Sequence, residues 1–180
     1  MKKSIFIISI IILTQLTGCI VFHSVSYEVN IDDNGSGTAV VIIEDLNTDA
    51  TTKANIDEDV KSILEYGLKD QEFVNDRKNE GKMITSRNVM IERDKLNAIV
   101  GYEFSDISKV EGMQFDDPYY YLTIPAADSI ISTNGQVTKT AEYQRIVWDK
   151  SITTLKFKMY SDDTSREGLK SLAPYYLKEN

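Results

Sequence analysis

The chain has 180 residues, an apolar content of 42% and a formal net charge of −8, from 28 acidic and 20 basic side chains. That size suits one domain or two very small ones, with apolar content ordinary enough to build a core without crosslinks. The acidic balance excludes the basic footprint that nucleic-acid phosphates require and opposes electrostatic docking on anionic lipid, and the single cysteine, Cys19, excludes an intramolecular disulfide.

In chain order, Met1-Lys2-Lys3 is a short cationic start, and Ile5 to Leu13 is an apolar run interrupted only by Ser9. Thr14 and Gln15 follow, then Leu16-Thr17-Gly18-Cys19. This is the order of a secretory signal, and its apolar run is about half the ~20 residues that a permanent membrane-spanning helix needs. The quartet resembles the lipobox of bacterial lipoproteins: a branched apolar residue, two small residues, then cysteine. The resemblance implies a signal peptide over 1–18 cut between Gly18 and Cys19, fatty acylation of the Cys19 sulfur, and a new amine open to acylation. The alternatives are an ordinary secretory signal with an incidental cysteine, or a buried free thiol. Each buried methylene contributes roughly 0.8 kcal/mol, so two or three acyl chains would hold the protein at a membrane essentially permanently.

Removal of residues 1–18 would leave 162 residues and take away Lys2 and Lys3, moving the net charge from −8 to −10. Residues 19–180 are then expected to form a single lipid-anchored extracytoplasmic domain. No Ser/Gly-rich spacer follows Cys19; Ile20-Val21-Phe22 come at once, so the domain is expected to sit against the bilayer surface. Ile20, not aspartate, follows the cysteine, and resemblance to enterobacterial sorting favours the outer membrane if the cell has one.

From Val21 to Ile31 the odd positions are mostly apolar and the even ones polar after Phe22, which predicts a half-buried strand. Asp33-Asn34-Gly35-Ser36-Gly37 is a turn cluster, and Thr38 to Glu44 predicts an interior strand. Asn47 to Asn55 reads as loop. A helix is expected from Asn55 or Asp57, with Asp57, Glu58 and Asp59 at its positive N-terminus and Val60, Ile63, Leu64 and Leu68 at helical spacing. Gly67 is a candidate kink, and a second helical piece with Phe73 and Val74 ends near Gly81.

The remainder predicts strands. Met83 to Arg93 and Leu96 to Phe104 flank a turn at Asp94-Lys95, and Asp106 to Gly112 is a short turn or helix. Tyr119 to Ile124 is aromatic and β-branched. Asn134-Gly135 predicts a hairpin, and Tyr143 to Trp148 with Ile152 to Tyr160 predicts another over Asp149-Lys150-Ser151. Ser165 to Tyr176 reads as a short helix broken by Pro174. The expected class is α+β: an antiparallel β-meander sheet with a helical segment, about residues 56–80, packed on one face.

The turn at residues 33–37 and the strand end Tyr102-Glu103-Phe104-Ser105-Asp106-Ile107 give a second resemblance, to the LppM-type lipoprotein domain. It implies a lipid-anchored envelope domain with a lipid-binding role. The chain departs from that pattern at Asn34, which replaces the aspartate before the glycine.

Several groups are candidates for chemistry. Asp32, Asn34, Ser36 and Gly37 match the first positions of a calcium loop, but the twelfth falls on Ile43, so a hairpin turn is the better reading and no metal is expected. His23 is the only histidine, too few for a usual zinc site, and a packed or interface role is expected. Asp116-Asp117 and Asp162-Asp163 are acid pairs in predicted loops; converging carboxylates can bind metals or hydrolyse glycosides, but solvated turn charges are the better reading. Tyr119, Tyr121 and Trp148 are candidate ligand-binding aromatics, suited to stacking on sugars or lining an apolar groove; the alternative is strand core with an amphipathic edge. Tyr120 should face away from Tyr119 and Tyr121.

These features predict an envelope lipoprotein held at the membrane by acyl chains on Cys19. Its domain is expected to be non-catalytic and cofactor-free, binding a protein partner or an apolar ligand between helix and sheet. The alternative is a hydrolase of envelope glycans or lipids that works through the loop carboxylates.

Overall fold

The computed structural model of the protein describes residues 19–160 and 167–179. The predicted signal peptide at 1–18 and the pair Asp162-Asp163 lie outside the described residues. The class is α+β: antiparallel sheets dominate, and helices pack on one sheet face.

The large sheet has six strands: β2 (Ser24–Ile31), β3 (Gly37–Glu44), β5 (Lys82–Glu92), β6 (Lys95–Phe104), β9 (Ser129–Thr133) and β12 (Thr154–Tyr160), in spatial order β5-β6-β3-β2-β12-β9. A second sheet places β10 (Gln136–Lys139), β11 (Tyr143–Asp149), β8 (Tyr119–Pro125) and β7 (Met113–Asp116) side by side. A small third sheet sets β4 (Asn47–Thr48) between β1 (Ile20–Val21) and β13 (Lys170–Ser171). The predicted single strand over 21–31 is therefore two strands, because β1 leaves the large sheet to pair with β4. The predicted loop after Asn47 contains β4 itself.

The β2–β3 hairpin forms as its turn residues require. Gly35 has φ +83°, and a Cβ on Gly37 would fall 2.0 Å from the Asn30 carbonyl oxygen. The β5–β6 turn uses Arg93 and Asp94, both at positive φ, one residue earlier than the sequence predicts. Those two left-handed residues match the twist that a two-residue hairpin demands.

Helix α1 (Lys53–Ser62) starts earlier than expected. Thr52 caps it, its Oγ1 accepting the Asn55 amide at 3.3 Å, so Asp57, Glu58 and Asp59 lie beyond the first turn. A π-helical segment over Ile63–Lys69 contains Gly67, and α2 (Gln71–Asn79) follows, capped by Asp70. Arg87 on β5 donates to the Gly67 and Asp70 carbonyls at 3.2 and 2.9 Å, supplying partners where the helical ladder is broken. A 3₁₀ turn spans Ile107–Lys109. At the C-terminal end α3 (Ala173–Glu179) carries Pro174 in its first turn, where the missing N–H costs nothing, so the proline does not break this helix.

The later strands do not form one meander. Asn134-Gly135 joins β9 in the large sheet to β10 in the second sheet, so it is a crossover and not the predicted hairpin. Residues 150–153 likewise carry the chain from β11 to β12, in different sheets. Asn134 ties the two sheets together: its Oδ1 accepts Trp148 Nε1 and the Lys156 amide, each at 2.8 Å, and its Nδ2 donates to the Thr154 carbonyl. Gly135 is required by space, because a Cβ there would come within 2.7 Å of Trp148 and Ile146.

Two apolar clusters fill the same face of the large sheet. One lies under the second sheet and joins Tyr27, Val29, Val41, Phe104, Leu155 and Phe157 to Met113, Leu122, Ile146 and Trp148. The other lies under the helices and joins Val89 and Leu96 to Leu46, Ile56, Val60 and Leu172. The opposite face of the large sheet is open, with Val40 41% exposed.

Candidate functional site

Cys19 is exposed and continues the β1 ladder. Its backbone N–H donates to Asp49 Oδ1 at 2.6 Å, and the Asp49 amide returns to the Cys19 carbonyl at 3.4 Å. The neighbouring strand residue Thr48 is fully buried and donates from Oγ1 to Asp59 of α1 at 2.5 Å, while accepting the Ala50 amide. Cys19 is thus joined by two hydrogen-bonded steps to the helical layer. Burial raises the Asp59 pKa, the Thr48 hydrogen bond opposes that rise, and nearby Asp49 and Glu58 reinforce it; the net direction is upward.

The second sheet separates the candidate aromatics. Trp148 pairs with Tyr120 on the inner face and is 1% exposed, so it does not share a surface with Tyr119 and Tyr121. The strong hydrogen bond to Asn134 and the contact with Phe157, at 5.8 Å between ring centres, make it a core residue. Tyr119 and Tyr121 stand on the outer face, opposite Asp149 and Val147 across the ladder, and Tyr119 is 47% exposed. The same face carries Tyr143 and Arg145. The Arg145 guanidinium lies 4.8 Å from the Tyr121 ring centre and 5.3 Å from that of Tyr143, and its Nε donates to Thr123 Oγ1 at 2.9 Å. Sequence reading missed Arg145 and Tyr143. Their i, i+2 spacing on a strand was the available signal.

A buried ionic group lies elsewhere, where α2 meets the large sheet. Lys82, almost fully buried, donates to Glu111 and reaches Glu80 at 3.3 Å; Glu80 also pairs with Arg77 at 2.9 Å. Tyr102 is beside it, its hydroxyl buried with no hydrogen-bond partner, and burial with the Glu111 charge pushes that hydroxyl's pKa upward. This arrangement closes the corner between α2, β5 and the turn before β7. A shallow depression of about 310 Å³, lined by Lys78, Gly81, Lys82, Met83, Glu103, Phe104 and Ser105, adjoins it.

The remaining candidates are dispersed. Asp117 is bonded to Lys150 at 2.6 Å, and neighbouring Asp116 is exposed at the end of β7. Asp32, Asn34 and Ser36 bond among themselves, with Ser36 Oγ donating at 3.1 and 2.7 Å to Asp32 and Asn34. His23 stacks on Tyr160 with ring centres 6.2 Å apart. On the open face of the large sheet, Lys158 donates to Glu44 at 2.5 Å. Burial alone would raise the Glu44 pKa, but hydrogen bonds from Lys158, Ser24 and Ser26 outweigh it and the net direction is downward.

Among the described residues no group of three or more His, Cys, Asp or Glu side chains converges as a metal site, and no helix is long and apolar enough to cross a membrane. No family model, curated protein or solved structure matches the chain.

Proposed function

We propose that the protein is a lipid-anchored envelope lipoprotein whose domain is a non-catalytic binding module held close to the bilayer. The observation that carries this reading is the position of the lipobox cysteine in the fold. Cys19 is already hydrogen-bonded to Asp49 in the small sheet, so a lipid on its sulfur leaves almost no free tether between membrane and domain. Ile20, next along and 36% exposed, adds apolar surface at that end.

Ile56, Val60 and Leu96 fill the space between α1 and the large sheet, which favours an exterior surface over an internal apolar pocket as the binding region. The bond between Asp117 and Lys150 favours a structural over a catalytic role for that carboxylate. The test is detergent phase partition of the full chain expressed with its leader. The native protein is expected in the detergent phase as a processed, acylated product, and Cys19→Ala is expected in the aqueous phase. An unmodified sulfhydryl in the mature product, or identical partition of the two, would overturn the reading.

A further inference from the structure

We infer that the outer face of the second sheet is a glycan-binding platform for a sugar chain bearing carboxylate or phosphate groups, with Tyr121 and Arg145 at its centre. This deepens the envelope reading, which says where such a ligand would be met.

Three side chains hold Arg145 in place. Two tyrosine rings flank its guanidinium and Thr123 Oγ1 accepts a hydrogen bond from its Nε–H. These contacts fix the plane of the fork without using its Nη edge. No carboxylate of the described residues lies within ion-pair distance of it, in a chain where acids outnumber bases 28 to 20. An oriented guanidinium without a carboxylate is a ready partner for an oxyanion, which it can grip with two parallel N–H donors.

Tyr119, Tyr121 and Tyr143 share the outer face with Arg145 because alternate residues of paired strands point the same way. Tyr119 is exposed and Tyr121 and Tyr143 are half-buried, so the row offers ring surface for stacking on the C–H faces of sugars. The polar residues Gln114 and Thr138 pair with Tyr121 and Arg145 respectively, which adds hydrogen-bonding groups suited to sugar hydroxyls.

Asp116 and Asp149 both pair with Tyr119, so one end of the platform is acidic. Arg145 is four residues from Asp149, about 14 Å along the strand at ~3.4 Å per residue. The charge pattern therefore gives the ligand a direction: its anionic group seats at Arg145, its ring on Tyr121, and an uncharged part extends toward Tyr119.

The test is calorimetric titration of the full-length protein in detergent micelles at low salt. Three probes suffice: a glucose hexamer ending in a single glucuronic acid, the neutral glucose hexamer and inorganic phosphate. The uronate hexamer should bind at least tenfold more tightly than either other probe. Arg145→Gln should reduce it to the level of the neutral hexamer, and Tyr121→Ala should weaken both saccharides. Thermal melts check that the variants fold; Tyr119→Ala, at an exposed ring outside the guanidinium stack, provides a second aromatic variant. Equal binding of acidic and neutral hexamers, or no binding of either, would overturn the proposal. So would uronate binding that survives both tyrosine variants, which would mean an anion site only, or self-association through this face in sedimentation. Cys19 takes no part in these titrations, so a failed phase partition and a failed glycan platform are distinguishable.

Discussion

One face of the large sheet is covered twice, and the two covers differ. Under the second sheet five rings are packed among aliphatic side chains: Tyr27 stacks on Phe157 at 4.7 Å, Phe157 meets Trp148, and Tyr102 and Phe104 lie in the same cluster. Under the helices the buried side chains are mainly aliphatic, a carboxylate is buried among them, and neither α2 nor the π segment contributes a fully buried residue. Strand β6 crosses both regions, with Leu96 and Ala98 under the helices and Tyr102 and Phe104 under the second sheet. The same strand therefore contributes to a deep ring-packed core at one end and a thinner helical cover at the other. Regions with fewer buried contacts open at lower free energy, so the helical cover should exchange its amides before the sheets do.

The largest test of this contrast is Trp148→Ala. Removing a fully buried indole from a packed core costs ~3–5 kcal/mol, and here it also leaves Asn134 Oδ1 without one of its two donors. The expected result is a large drop in the denaturant midpoint, with α1 and α2 amides losing protection together with the sheets. If the helical amides kept their native protection while the sheets opened, the two regions would be independently stable and the ranking above would be wrong.

Local periodicity read one region well and misassigned the other. The alternation in β2 and the helical spacing of Val60, Ile63, Leu64 and Leu68 each name the face that is buried, so the strands and the helical layer were legible. Pairing partners were not. Asn134-Gly135 and residues 149–151 carry hairpin residues at hairpin spacing, yet each connects strands in different sheets. The reason is visible at Gly135, where glycine serves close approach to Ile146 and Trp148 and has no positive φ. Trp148 misled for a related reason: an aromatic residue in a strand has one ring and two possible faces, and the choice depends on strands that are distant in sequence. The small sheet could not be read at all, since two-residue strands carry no period.

A smaller effect comes from Asp59, in the helical region. Its folded pKa is raised above the unfolded value near 4, so between those values the folded chain retains a proton that the unfolded chain releases. Above that window both states are ionised and the buried charge costs stability; below it both are protonated and the cost is gone. Native stability relative to Asp59→Asn should therefore rise as pH falls through the window toward ~4, whatever constant offset the amide introduces. Chemical denaturation of both proteins across pH 3 to 7 measures the difference, on the order of the usual titration range for carboxylates. A difference independent of pH would show that Asp59 is no more costly folded than unfolded.

The smallest expected change is Gly67→Ala, in the π segment. A Cβ at Gly67 would meet nothing within 4 Å, and its φ lies outside the left-handed region, so alanine enters without strain. Alanine restricts the unfolded chain and favours helix, which should stabilise by about 0.4–1 kcal/mol. The gain should appear locally. Arg87 bonds the Gly67 and Asp70 carbonyls to β5, so a stiffer segment holds those acceptors in place and slows exchange across α1 and α2. Amides of β2, β3 and β12, whose opening is set by the ring-packed cluster, should be unaffected. Equal slowing in both regions would mean that the helical cover opens only with the whole domain, and that the difference between the two halves lies in composition alone.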